Sequence, residues 1–367
     1  MVEFWRAGGP GALNPIELAR SVEADGWDGQ MFMDSQCLSA DPWVLMGSWA
    51  AATERLKLCT GVSNPWTRHN AVTAACASTL QAISGGRAVL GIGRGDSALA
   101  YLGLAPVGLA SFERSLKEIQ ALLSGEAVAF GGTAPGADAP SLDTMSLGDR
   151  PTESRLEWLP EGMAKVPLDV AATGPKVIEL SAPISERVTF SVGAIPDRIN
   201  WALDIARRAR AARGLTDDGI AYGAQIIVVC HPDVELVRPF AGSFVAPLAR
   251  FQVIQGEAKG PMSNSDAVNF AAIRKGYDMT KHGKGGAHGK LVGNEISPDF
   301  IDRFAIVGPP DHCIERLLQL IGFGIERFVV VGPGLHPEAE EGGRTLFARE
   351  VMPAVRAAME EKAKVPA

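Results

Sequence analysis

The stretch LCTGVSNPWTRHNAVTAACASTLQAISGGRAVLGIGRGDSALAYLG, residues 58–103, decides how the chain folds. It joins an apolar run at 56–62 to a second at 87–92 through one helix-forming segment. Strands of this kind, apolar along nearly their whole length and separated by a helix, predict parallel neighbours joined by a crossover. Both runs end in glycine-rich turns: Thr60-Gly61-Val62-Ser63-Asn64-Pro65 after the first, and Gly91-Ile92-Gly93-Arg94-Gly95-Asp96 after the second.

The same alternation extends in both directions. Strands are predicted at 2–5, 30–33, 168–172, 188–192, 222–230 and 328–331, each followed by a helical pattern. Asn14-Pro15 reads as a helix start, an N-cap with proline in the first turn, and Pro175, Pro196 and Pro309 repeat the signal. Eight strand–helix units close a TIM (β/α)8 barrel, whereas an open doubly wound sheet usually shows fewer. The fold class is therefore α/β, one barrel domain over 1–367, with chemistry at the carboxyl ends of the strands.

Two stretches break the rhythm. Residues 125–165, after helix four, contain GGTAPGADAP and read as an excursion, a hairpin over the barrel mouth or plain surface elaboration. Residues 231–302, after strand seven, are longer; 234–253 and 266–277 read as helical, and KHGKGGAHGK (281–290) is basic and glycine-rich. Both are expected near the carboxyl face, the second as a lid over substrate.

Composition narrows the function classes. In 367 residues, 46% hydrophobic and 21% charged, a large core can be buried, and a net charge of −7 argues against nucleic acid as partner. The five cysteines are scattered and never spaced as CxxC, which argues against a disulfide framework or a zinc site. No run of about 20 apolar residues occurs, and MVEFWRAGG lacks the basic start and apolar stretch of a signal peptide. A soluble, cytoplasmic protein acting on a small molecule, with no membrane partner and no metal, is expected. His282 and His288 have no carboxylates at ligand spacing.

Glycine at a strand end lets a planar ligand or a phosphate approach the backbone, and Arg94 adds a cationic fork suited to phosphate. Gly91 and Gly93 are equally readable as relief of crowding inside the barrel. GIGRG has GxGxG spacing, not the GxGxxG of a dinucleotide fingerprint. Asp34 and Asp96 each follow a strand and read either as site carboxylates or as helix caps; His69 reads as a cap or a tail contact. Trp43, Trp49 and Trp66 are pocket candidates that base rates assign to core or rim packing. A lyase or isomerase on this scaffold would want a lysine or acid–base pair on strand ends, and no lysine is assigned to strands two to eight. A non-catalytic storage barrel is the other alternative.

TGVSNPWTRHNAVTA with SGGRAVLGIGRGDSA resembles the luciferase-like monooxygenase (bacterial luciferase-like) superfamily, most of all its methylenetetrahydromethanopterin reductase and deazaflavin-dependent oxidoreductase branch. MFMDSQ after strand two, AATGPKVIEL after strand five and the closing DRFAIVGPPDHCIERLLQLIGFGIERFVVVGP carry the likeness through most of the chain, except the two insertions. The resemblance implies an oxidoreductase passing hydride between coenzyme F420 (8-hydroxy-5-deazaflavin) and an organic small molecule. The alternative is an FMN-dependent monooxygenase using reduced FMN and oxygen. It implies a non-proline cis peptide at Gly61-Val62 behind the ring, and cofactor contacts from Asp34, Ser35, Gly61, Val62, Ser63, Asn64, Gly93, Arg94, Gly95, Thr173, Gly174 and Lys176. Asp96 and Asp34 become the catalytic candidates. Gly332-Pro333-Gly334, after the last strand, is the runner-up phosphate site. Ser35 stands where a related sugar-phosphate dehydrogenase carries histidine, which puts that alcohol-oxidising mechanism in doubt. Relatives commonly dimerise beside strands two and three, so the small-residue helix at 71–83 suits a homodimer or a barrel-facing surface.

Overall fold

Eight parallel strands close into a ring in the computed structural model, which describes residues 2–7, 16–130, 140, 142–146, 148–283, 295–332 and 346–364. They are β1 Glu3–Ala7, β2 Gly29–Phe32, β3 Lys57–Thr60, β4 Ala88–Ile92, β5 Leu168–Ala172, β6 Arg187–Phe190, β7 Ala221–Cys230 and β8 Arg327–Val331. Closure is made by β1 pairing with β8 (Glu3 opposite Arg327) and by β7 pairing with both β6 and β8. This is the predicted TIM barrel. The expected strand at 56–62 is shorter: the β3 ladder stops at Thr60, Gly61-Val62 is a cis peptide, and Ser63 returns as a single bridge to Ile92.

Helix boundaries follow local chemistry. Pro175 and Pro196 occupy the first turn of Pro175–Ser181 and Pro196–Ala211, where a missing N–H costs nothing. Pro309 is itself the N-cap of Pro310–Phe323, one residue earlier than a first-turn proline. Asn14-Pro15 lies outside the described residues. The helices cover the barrel through a core in which Phe4, Trp49, Leu90, Phe112, Val188 and Phe328 are fully buried. Trp5, Met31, Cys59, Val89 and Val329 fill the barrel interior.

The interior also holds charge. Arg327 and Asp169, both buried, pair at 2.6 Å, and Arg327 lies 5.2 Å from the Trp5 ring centre. Gly223 makes room for that guanidinium, since a Cβ there would sit 2.9 Å from the Arg327 Nη2. At the amino end Glu3 takes Arg187 at 3.2 Å and also pairs with Lys57. Lys57 is thus a lysine within β3, contrary to the expectation of none, but it sits at the strand's start, bound to Glu3 and away from the mouth.

Burial pushes the Glu3 pKa up, but Arg187 and Lys57 outweigh it and hold the carboxyl at about 2. A folded pKa below the ordinary 4.5 stabilises the fold above that value, and the stabilisation is lost as pH falls from 4.5 toward 2. Glu3→Gln should therefore cost roughly 2–3 kcal/mol at pH 7. Denaturant titrations at pH 7 and pH 3 should show the difference from the parent protein shrinking with acid; an equal difference at both would refute it.

The described residues of the 125–165 stretch do not lie over the mouth. It follows helix Leu109–Leu123 and precedes β5, and a helix-to-strand connection belongs to the amino face. Lys165 there binds Gln120 at 2.6 Å and Glu186, next to the start of β6, at 2.7 Å. A short antiparallel pair, Val128–Ala129 with Glu153–Ser154, forms within it, but most of GGTAPGADAP lies outside the described residues.

The second insertion does follow a strand. It contains helices Val234–Ala249, Asn264–Gly276 and Pro298–Phe304, the middle one opened by a Ser263/Asp266 capping box. These helices share their own core, with Val237, Ala241, Val245, Phe270, Phe300 and Phe304. Strand Ile306–Gly308 pairs with the far end of β7 and fixes this layer to the barrel. Of 281–290, residues 284–290 lie outside the described residues, His288 among them. No described helix is long and apolar enough to cross a membrane.

Candidate functional site

A cavity of about 1260 Å³ opens at the carboxyl ends of the strands, roofed by the second insertion. Its floor is built where β3 and β4 end. Thr60 Oγ1 donates to Gly91 O at 2.6 Å, Ser63 N donates to the same oxygen at 2.9 Å, and Gly93 N donates to Ser63 O at 2.9 Å. These bonds turn Gly61, Val62 and Gly93 toward the cavity. The two readings of the glycines divide by position. At Gly91 a Cβ would fall 1.9 Å from Thr60 O, so that glycine relieves crowding. Gly93 faces the cavity, although a Cβ there would also meet Val62 Cγ2 at 3.0 Å.

Ser63 and Asn64 are buried and do not line the cavity. Ser63 holds the turn through its backbone and Asn64 by accepting the Trp66 and Thr67 N–H groups at 3.0 Å each, while Ser63 Oγ and Asn64 Nδ2 are buried with no hydrogen-bond partner among the described residues. Both therefore stand behind the floor, not on the cofactor face expected of them.

Asp34 and Ser35 line the cavity after β2. Asp34 caps no helix, since Asp41 caps Pro42–Ala52; it is buried against Arg68 at 2.6 Å, and Arg68 also holds Asp41 at 2.7 Å. Ser35 Oγ lies 3.2 Å from Ser97 Oγ, joining the β2 and β4 loops. His69 is exposed and caps the next helix by accepting from Ala71 N at 3.2 Å, so its capping reading holds.

After β4, Arg94 lines the cavity with its Nε bound to Val107 O at 2.6 Å and its Nη1 to Gln255 at 3.2 Å. Burial lowers its pKa from the ordinary value, so an incoming anion would find a partly desolvated cation. Gly95 turns the chain at φ 75°, beyond the reach of an ordinary side chain. Asp96 precedes the short helix Ser97–Ala100 without capping it. Its carboxylate is gripped through both oxygens by Arg250 of the insertion. Arg250 lies 4.8 Å from the Tyr277 ring and 5.0 Å from that of Phe251. Tyr277 in turn bonds His282 Nδ1 at 2.5 Å, and His282 lines the cavity.

After β5, the neighbour of β4 in the barrel, Thr173, Gly174, Pro175 and Lys176 line the cavity. Nothing lies within 4 Å of where a Gly174 Cβ would be, and Lys176 is exposed with no carboxylate partner among the described residues. Gly332 also lines it, while Pro333 and Gly334 lie outside the described residues. Deeper down, Asp169, Thr189, Ser191 and Gln225 form a polar base. Trp43, Trp49 and Trp66 do not line the cavity: Trp49 is core, Trp43 packs against it and Trp66 is exposed.

Sequence reading missed Arg250, Arg68, the Tyr277–His282 pair and the polar base. Arg68 was visible beside His69, as a charged residue after a strand-end turn. Arg250 carried no local signal, because its partner lies 154 positions away.

A ligand-sized cleft at the carboxyl mouth of a parallel barrel, with a side-chain-free floor and cations on its rim, is the site of a barrel enzyme. The luciferase-like monooxygenase family matches residues 6–327, and the chain belongs to that family of oxidoreductases. It is 27% identical over 344 residues to 5,10-methylenetetrahydromethanopterin reductase of Methanolobus tindarius, covering 93% of this chain and 96% of that one. Its fold matches an F420-dependent secondary alcohol dehydrogenase in complex with an F420–acetone adduct (TM-score 0.71, 19% identity, 97% and 99% covered). It also matches the FMN complex of the oxygenating constituent of 3,6-diketocamphane monooxygenase from Pseudomonas putida (TM-score 0.64, 19% identity, 97% and 99% covered).

Proposed function

We propose that the protein is a coenzyme F420-dependent oxidoreductase that binds a flat, phosphate-tailed deazaflavin across the ends of β3, β4 and β5. This reading is carried by the open space at Gly174, beside Lys176, in a cavity that Gly61, Gly93 and Arg94 also line. The residues fit such a group. The floor presents backbone to a ring face, and Arg94 and Lys176 offer charge to the tail. Helix Pro175–Ser181 is only seven residues long and lacks an N–H at Pro175, so the two side chains must supply most of that attraction.

When bound, the deazaflavin supplies the hydride chemistry. This chain's own residues position and enclose. Asp34, fixed by Arg68, and Asp96, fixed by Arg250, present carboxylates on the β2 and β4 sides of the floor; these are the candidate proton-handling and polarising groups. The insertion, tied down by Asp96–Arg250, keeps water off the reacting face. FMN could use the same phosphate contacts, and the relative at 27% identity favours the deazaflavin reading. A homodimer fits the exposed Val44, Val72 and Ile83 on helices Pro42–Ala52 and Asn70–Ile83. The small face of the second helix, Ala74, Ala77 and Ser78, is buried toward the barrel.

Anaerobic fluorescence titration with coenzyme F420 and with FMN, followed by oxygen uptake after reduction, tests the reading. F420 should bind about tenfold tighter or more, with no oxygen consumed. Tighter FMN binding with oxygen consumption would overturn it in favour of a monooxygenase.

A further inference from the structure

Helix Val234–Ala249 is apolar on two faces. One face, Val237, Ala241, Val245 and Leu248, is buried in the insertion's own core. The other, Leu236, Phe240, Phe244 and Pro247, continues into Phe251 and lines the cavity. The spacing of these five positions, four, four, three and four residues, is that of a single helical stripe. Phe240 and Phe244 meet edge to face at 5.1 Å, and Leu236 keeps 42% of its surface exposed. A helix apolar on both sides is stable in water when both sides are covered. The fold buries one; on the other, Phe240 and Phe244 are half-buried, packed in part against the same core, and line the cavity above the floor.

The remaining chemistry of the cavity points the same way. Arg94 and Lys176 lie on the β4 and β5 side, where the proposed coenzyme tail runs. Arg198 also lines the cavity, but its guanidinium is committed to Pro261 O at 2.9 Å, Lys259 O at 2.8 Å and Gln252. The charged lining groups contributed by the insertion, Glu257 and Lys259, are exposed at the rim. At about 1260 Å³ the cavity also exceeds the space one bound molecule needs, roughly 300–1,000 Å³ for a drug-sized ligand.

We propose that the substrate is an uncharged molecule whose bulk is hydrocarbon, aliphatic or aromatic, held between the coenzyme ring and the Leu236–Phe240–Phe244–Pro247–Phe251 stripe. This assignment rests on the coenzyme reading above, because the ring supplies the opposite wall.

The test uses the full-length protein loaded with coenzyme F420, titrated calorimetrically with 2-butanone, 2-hexanone, 2-octanone and 2-decanone, and with glucose 6-phosphate. Affinity should rise about threefold per methylene until the stripe is covered, with glucose 6-phosphate weaker than 2-octanone. Phe244→Asp should flatten the series and Phe244→Leu should restore most of it, while coenzyme affinity stays at the parent value in both. A flat series in the parent protein, or tighter binding of glucose 6-phosphate, would overturn the assignment whatever the variants do. The coenzyme titration is read separately. A coenzyme that binds above a flat ketone series removes this inference alone. Protein that binds no coenzyme removes the coenzyme reading, and the substrate's place against the ring with it, even where the ketone series still rises.

Discussion

Alanine at position 91 is expected to cost more than about 4 kcal/mol and to leave little soluble protein, whereas alanine at 174 should change stability by less than about 0.5 kcal/mol. Both glycines lie next to strand ends, and a sequence pattern treats them alike. At Gly91 the added Cβ would sit 1.9 Å from Thr60 O and 2.9 Å from Cys59 Sγ. Neither can yield. Thr60 is buried inside the β3–β4 pairing, and Gly91 O already receives Thr60 Oγ1 at 2.6 Å and Ser63 N at 2.9 Å. Moving either strand would unmake the floor of the cavity. At Gly174 the backbone has φ −95° and ψ 156°, open to any residue, and no atom lies within 4 Å of the added carbon. Urea denaturation of the two variants measures the contrast; similar midpoints would show that Gly91 is not a packing position.

Arg250→Ala should destabilise the protein by roughly 2–3 kcal/mol and loosen the insertion as a unit. The Arg250 side chain is 6% exposed and that of Asp96 19%. Removing the arginine therefore strands a carboxylate that water reaches only in part, which places the cost below the 3–5 kcal/mol of a fully buried pair. The pair also joins the β4 loop to the turn after Val234–Ala249, so its loss should accelerate amide exchange along that helix. Asp96→Asn and Arg250→Ala should each be damaging, and the double variant should be less so than their sum, with a coupling of about 2 kcal/mol. Strict additivity with unchanged exchange would mean that the pair does not hold the roof.

The barrel was legible because its signal is repetitive. Eight apolar runs, proline-marked helix starts and the 58–103 stretch each point to the same parallel architecture, and tertiary packing did not override them. The site was legible only in part. Positions set by strand ends, such as Asp34, Gly61, Gly93, Arg94 and Gly174, could be placed, because the barrel dictates which residues surround its mouth. Ser63 and Asn64 could not, since a turn that crosses back to pair with β4 leaves them buried and off the cavity lining. The contributions of the insertion were invisible for a different reason: Arg250 and Tyr277 gain meaning only from partners brought together by folding. The 125–165 stretch shows the same limit from the other end. Whether an excursion follows a helix or a strand decides which face its described residues occupy, and a break in periodicity looks the same in both cases.

If bare backbone at the ends of β3, β4 and β5 receives a flat ring with an anionic tail, a side chain added at Gly174 must obstruct it. Coenzyme F420 titrated into the parent protein and into Gly174→Val, with melting curves for both, should show saturable binding to the parent and at least about tenfold weaker binding to the variant at an unchanged melting temperature. Equal affinity in the two, or no retention by the parent, would contradict it.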